Sequence, residues 1–295
     1  MKTHNNILIA FILNLFFSVF ELVGGIFTGS IAIISDAIHD IGDAISIGIS
    51  YFLEKKSKKQ PDDIYTYGYS RYSVIGGIIT IMILLFGSLT VIINAIKRVI
   101  TPTEINYDGM IIFAVVGVLV NLAAAHFTHN GDSLNQKAVN LHMLEDVLGW
   151  IVVLIGAIIM RFTDFWFLDP VLSICVAVFI IFNGIKNLKK SIEVLCEKMP
   201  SEYTVEQISE HLFEIEGIED IHHIHIWSID GNTNYATMHI VTEKTPSEIK
   251  PIIRKELEEF NIFHSTLEFE TKNEECNEKI CKIKSSHSHC HHHHH

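Results

Sequence analysis

Ser35-Asp36-Ala37-Ile38-His39-Asp40-Ile41-Gly42-Asp43 lies inside an apolar run at residues 31–53, and Leu141-His142-Met143-Leu144-Glu145-Asp146 lies inside another at 139–160. Each places an Asp four residues after a His: Asp43 after His39, and Asp146 after His142. An ionisable group at membrane depth costs roughly 2.5–3.5 kcal/mol on insertion scales, so a site that carries several of them is functional by default. Residues i and i+4 share a helix face, so each pair can point together into a bundle. One pair alone could be a hydrogen bond between helices; two matched pairs on different helices indicate one shared cation site. Two imidazoles and two carboxylates are the ligand number and type of a tetrahedral zinc site. Carboxylate draws the set toward harder ions, imidazole suits Zn, Co or Ni, and no thiolate is present to favour Cu(I).

A charge count gives a reason for mixing the two ligand types. Two carboxylates with one divalent ion are neutral, and so are two carboxylates with two protonated imidazoles. Exchanging one divalent ion for two protons therefore leaves a buried site neutral in both states, where net charge would be expensive. Asp36 and Asp40 follow the same helical spacing as His39 and Asp43. They read as groups that orient a histidine ring or line the entry path, and Asp40 could itself be a ligand. Glu145 neighbours Asp146 but points about 100° away on a helix.

Outward from these pairs, the chain of 295 residues is 48% apolar and holds six runs near 20 residues, the length that crosses a bilayer: 7–27, 31–53, 74–95, 110–127, 139–160 and 167–188. The first is too long for a cleaved signal peptide and carries Glu21. The expected architecture is an α-helical bundle of six transmembrane helices over residues 1–190, followed by a small α+β domain over 191–272 and a Cys/His-rich, loosely ordered tail over 273–295. Within 191–272 the pattern reads helix (205–215), strand (221–229), strand (235–242), helix (247–260), strand (265–271), with Asp230-Gly231-Asn232 as a turn. Helices would cover one face of the sheet.

Basic residues divide unevenly. Ten, including Lys55, Lys56, Lys58 and Lys59 between the second and third runs, fall on one side, against Lys97, Arg98 and Arg161 on the other. The positive-inside rule then places both termini and the 2–3 and 4–5 loops in the cytoplasm of a multi-pass protein of the cell membrane. The formal charge is −12, and residues 191–295 carry 20 acidic against 9 basic side chains. Nucleic acid is excluded as a partner, because phosphate binding needs a basic face. An acidic cytoplasmic domain either concentrates cations or is simply a well-solvated surface. Cys175, Cys196, Cys276, Cys281 and Cys290 form no disulfide framework. The ending, His287-Ser288-His289-Cys290 followed by five His, fits a metal-collecting tail or an expression tag.

These residues resemble the cation diffusion facilitators. The resemblance covers nearly the whole chain. It is carried by Glu21-Leu22-Val23-Gly24-Gly25, Gly29-Ser30-Ile31-Ala32 leading into His39-x-x-x-Asp43, Tyr67-Gly68-x-x-Arg71, Asn121, His142-x-x-x-Asp146 and Ile221-His222-His223-Ile224-His225-Ile226-Trp227. The His-x-x-x-Asp form in the second helix is similar to the zinc branch, although Asp40 stands where that branch has an apolar residue. The resemblance implies six helices, a ferredoxin-like cytoplasmic domain, a homodimer, and export of metal in exchange for protons. His222, His239 and His264 match histidines that bind metal in the family's soluble domain, and Glu270, Cys276 and Cys281 could add carboxylate and thiolate ligands. Some members hold a further metal between helices two and three with one Asp and two His; here Asp62 remains, but Tyr65 and Tyr69 take the His positions, so no strong site is expected there.

The function expected is export of a divalent cation, Zn2+ first, by proton antiport, with Zn2+ also a regulatory ligand. The alternatives are transport of Cd2+, Co2+, Mn2+ or Fe2+ by the same fold, or a membrane-held metal sensor or buffer that transports nothing. An enzyme is not expected, since four protein ligands fill the shell that a catalytic zinc leaves open.

Overall fold

The computed structural model describes residues 2–28, 31–101, 107–130, 133–163 and 168–272. The chain divides into two compact units that part after Cys196.

The first unit holds six long helices: α1 (Lys2–Thr28), α2 (Ile31–Ser57), α3 (Arg71–Ile100), α4 (Tyr107–His129), α5 (Leu134–Phe162) and α6 (Leu168–Leu195). The last continues past residue 190. Four stretches among the described residues are apolar and long enough to cross a membrane: Asn5–Val23, Arg71–Lys97, Ile111–His129 and Leu134–Gly156. α2 carries Asp36, Asp40 and Asp43 within one stretch, which lowers its mean hydropathy. The unit's interior mixes apolar with polar side chains, and its outer surface is apolar. Phe16, Phe52, Phe86 and Phe182 are each more than 60% exposed, whereas Asn14, Ser18, Glu21, Asp43, Asn121 and His142 are buried. An outer surface so apolar suits lipid and not water. α4 packs mainly on α5, α1 on α2, and α3 on α6, while α3 also lies against both α2 and α5. Small residues permit the closest approaches. At Gly117 of α4 an added Cβ would lie 2.5 Å from the Trp150 ring of α5, which itself meets Phe17 of α1 edge-on at 5.3 Å. Gly117→Ala should therefore destabilise the bundle by about 1–3 kcal/mol through overpacking. Thermal unfolding in detergent reads this, and an unchanged midpoint would refute it.

The second unit orders α7 (Val205–Phe213), β1 (Ile218–Ser228), β2 (Asn234–Thr242), α8 (Pro246–Glu258) and β3 (Ile262–Glu270). α7 starts at a capping box: the Thr204 side chain accepts from the Gln207 N–H at 3.2 Å, and the Gln207 side chain accepts from the Thr204 N–H at 2.9 Å. α8 starts with Pro246, whose missing N–H costs nothing in a first turn. β2 is central, antiparallel to β1 and parallel to β3, with α8 as the crossover. Along β2 the burial alternates strictly: Ala236, Met238 and Ile240 face a core built with Ile208 and Leu212 of α7 and Ile249, Ile253 and Leu257 of α8. Tyr235, Thr237 and His239 occupy the other face, away from the core that α7 and α8 build.

Candidate metal centres

In the helical unit, Asp43, His142 and Asp146 converge: each offers a ligand atom, and these atoms all lie within 4.8 Å of one another. His142 Nε2 is 3.8 Å from Asp43 Oδ1. Ligands held about 2.0–2.1 Å from a tetrahedral ion sit roughly 3.3 Å apart, so a small inward movement completes the geometry. His142 is only 3% exposed, and neither of its ring nitrogens has a hydrogen-bond partner among the described residues. A buried imidazole left so is costly unless an ion or proton engages it. The i, i+4 relation places His142 and Asp146 on one face of α5, and α2 brings Asp43 to that face. Asp40 is half-buried and is not one of the converging groups. His39 and Asp36 belong to α2, but their side chains lie outside the described residues. Glu145 turns away to α3, where Ser88 Oγ donates to its Oε1 at 2.5 Å.

In the second unit, His222 of β1 is the direct register partner of His239 of β2, and their rings are 5.3 Å apart. Glu270, near the end of β3, reaches both. Its Oε1 is 2.5 Å from His239 Nδ1, and its Oε2 is 3.3 Å from His222 Nε2. Glu270 and His222 are nearly buried, yet His222 Nε2 and Glu270 Oε2 face each other without an aligned hydrogen bond. That is the arrangement of two donors to one shared ion, and the three residues offer ligand atoms within 4.8 Å of one another. Two further carboxylates complete the surround: Asp220 Oδ2 is 3.2 Å from His222 Nδ1, and Glu268 Oε2 is 3.3 Å from His239 Nε2. The sequence reading missed both. The signal that could have found them is the alternation of β3, which puts Glu268 and Glu270 on one face, and the i, i+2 spacing of Asp220 and His222.

His264 lies apart from this cluster. It pairs with Tyr235, at 4.9 Å between rings, and not with His239. Four residues of strand, about 13 Å, separate those two levels of β2, so His264 does not share the His222–His239–Glu270 site within the chain. His223 is placed by a backbone irregularity. It sits at the β1 irregularity between His222 and His225 with φ +54°, and it stacks on His239 at 4.9 Å. A non-glycine residue at positive φ beside a bulge is a strained conformation that re-aims its side chain. Cys276 and Cys281 lie outside the described residues.

Between α2 and α3, Asp62 is already engaged. Lys59 Nζ and the Tyr69 hydroxyl each reach its Oδ2 at 2.6 Å, and the N–H groups of Ile64 and Tyr65 donate to Oδ1 at 3.1 and 2.9 Å. The Lys59 ammonium, then the Tyr69 hydroxyl, hold its carboxyl well below the usual carboxylate range, and Asp62 in turn raises the Lys59 ammonium.

Comparison with known proteins bears on both units. Residues 7–196 match the cation efflux transmembrane domain, and residues 200–270 match the cytoplasmic domain of cation efflux proteins. The cadmium, cobalt and zinc/H(+)-K(+) antiporter of Bacillus velezensis is 35% identical, across 90% of this chain and 88% of its own length. The metal cation efflux system protein CzcD of Cupriavidus metallidurans is 29% identical, across 86% of this chain and 82% of its own. The zinc transporter ZitB of Pectobacterium atrosepticum is 28% identical, across 94% and 88%. With an apolar-surfaced helical unit that carries buried acid and imidazole, and both domains matched in order, the chain is a multi-pass membrane protein that belongs to the cation efflux family of cation transporters.

Proposed function

We propose that this protein exports divalent metal cations, Zn2+ first, from the cytoplasm in exchange for protons. The ion binds between α2 and α5 through Asp43, His142 and Asp146, with His39 as the fourth ligand. The observation that carries the reading is His142, a buried imidazole with neither nitrogen hydrogen-bonded among the described residues, set among two carboxylates of a membrane bundle. Relatives named as zinc transporters and as a zinc/H(+)-K(+) antiporter support the substrate and the counter-ion. In this reading all six helices span, both termini are cytoplasmic, and the ferredoxin-like second unit pairs two copies into a homodimer. Zn2+ at His222, His239 and Glu270 acts as a regulatory ligand, with Asp220 and Glu268 orienting the imidazoles. His264, Cys276 and Cys281 are further candidates for that role, His264 only at a separate position. Asp36 and Asp40 line the way to the intramembrane ligands.

The charge count makes the coupling testable. In proteoliposomes, zinc uptake should rise with an opposing proton gradient and collapse when the gradient is dissipated. Because one relative's name includes potassium, a potassium gradient is imposed separately. Flux that ignores both gradients would exclude antiport. Competition by Cd2+, Co2+, Ni2+ and Mn2+ in the same assay ranks the ions.

A further inference from the structure

α2 carries more buried polarity than the metal centre needs. Toward its C-terminus from Asp43 come Ser46, Ser50, Glu54 and Ser57, each buried and each three or four residues after the last. These positions form one stripe along the helix. Glu54 lies three turns, about 16 Å, from Asp43 on nearly the same face. α5 runs antiparallel and repeats the distance. Asn135, fully buried, lies as far before Asp146 as Glu54 lies after Asp43. α3 completes the seam with buried Ser73 and Thr80. It approaches α5 so closely that a Cβ on Gly76 would lie 2.9 Å from Asn135 Oδ1.

Glu54 joins the three helices. It is 0% exposed. Its Oε2 accepts from Ser73 Oγ of α3 at 2.6 Å, from Ser133 Oγ just before α5 at 3.2 Å, and from Asn135 Nδ2 at 3.5 Å. Asn135 Nδ2 also donates to Ser50 O at 2.8 Å, and Ser50 Oγ meets Thr80 Oγ1. Lys58 Nζ is 3.0 Å from Glu54 Oε1, with its own side chain half exposed. Polar side chains used only to glue membrane helices would be satisfied when the helices are together. Here Ser46 Oγ and Asn135 Oδ1 are buried without a hydrogen-bond partner among the described residues. Such groups gain partners when water enters.

We propose that this stripe is the cytoplasmic half of the ion's route to Asp43 and His142, and that Glu54 is the latch that closes it by drawing α2, α3 and α5 together. The inference rests on the transport reading and its topology. When the helices part, the Glu54 carboxylate and its hydroxyl and amide neighbours become the wetted wall along which a divalent cation passes. When they close, Lys58, Ser73, Ser133 and Asn135 balance the carboxylate, and the seam is sealed from the cytoplasm.

The test reads accessibility, not transport. Ser46→Cys in an otherwise cysteine-free full-length protein is reacted with a membrane-impermeant thiol reagent from the cytoplasmic side. Adding Glu54→Ala should speed labelling at least roughly tenfold, the effect of losing one hydrogen bond to a charged group. Glu54→Gln, which keeps an acceptor for the two serines but loses the attraction of Lys58, should fall between. Zinc binding in detergent, read in a Glu270→Ala background so that only the bundle site reports, should persist in these variants, because Asp43, His142 and Asp146 are untouched. Should Glu54→Ala fail to bind zinc and so prove misfolded, Ser73→Ala with Ser133→Ala removes two donors and leaves the carboxylate, and faster labelling is again expected. Unchanged labelling in a zinc-binding variant overturns the latch. Absence of gradient-driven flux in the wild type overturns the transport reading instead, so the two failures are distinct.

Discussion

Asp146→Ala should abolish gradient-driven zinc uptake and weaken zinc binding in the bundle by more than about 100-fold. Changes to residues that only orient a ligand already cost roughly 10–100-fold, and a direct ligand should cost more. Charge adds to the loss of a donor atom. With one carboxylate removed, a bound divalent ion leaves the buried site with net positive charge, a state that the low-dielectric interior resists. The proton-loaded state becomes positive as well, so both halves of the exchange suffer. Glu145→Gln is the matched control. It alters the adjacent carboxylate, which faces Ser88 of α3 and not the ligand cluster, and should leave zinc affinity far less changed. Equal flux and equal affinity in wild type and Asp146→Ala would remove the intramembrane site proposed here.

Glu270→Ala should eliminate the zinc site of the second unit, for a different physical reason. Its two oxygens reach two histidines on two different strands, so one substitution unties both. Measured in full-length Asp146→Ala, which silences the bundle, zinc titration should lose one class of site, with affinity lower by at least about 100-fold. A ligand at a hundredfold excess over its Kd stabilises the form it binds by about 2.7 kcal/mol, so zinc-dependent protection of the second unit against proteolysis should vanish too. His264→Ala should leave the Glu270-dependent class of site in place, because it lies at the Tyr235 level of β2. In the otherwise wild-type chain, Glu270→Ala should shift the zinc concentration that drives half-maximal flux by roughly 5–150-fold if the sites are coupled. Unaltered binding in Glu270→Ala would refute the site; unaltered flux would refute its regulatory role.

Much of this was legible in one dimension. The spacing of His142 and Asp146 is a helix-face statement, and the helix holds them on one face. The order α-β-β-α-β in the second unit follows from apolar alternation that β2 keeps residue by residue. Other features were not legible because they depend on register. Two histidines on neighbouring strands can be near or far by a shift of a few residues. Only the observed pairing sets His222 opposite His239 and leaves His264 opposite Tyr235. Asp220 and Glu268 were missed for the same reason: an exposed acid on a strand looks like solvated surface until its cross-strand neighbour is known. Glu54 directly precedes Lys55 and Lys56, and its burial between three helices could not be read from that charged composition.

The sequence by itself determined that acid and imidazole lie in apolar runs, that they recur at a helix-turn spacing, and that an acidic α+β unit follows. These are local properties, fixed by period and composition. Tertiary structure decided which carboxylates meet which imidazoles, because a ligand set is assembled from residues far apart in the chain by helix packing and strand register. In the bundle it brought Asp43 to His142 and Asp146. At the end of the same helices it buried Glu54 among hydroxyls and an amide that local sequence could not bring together.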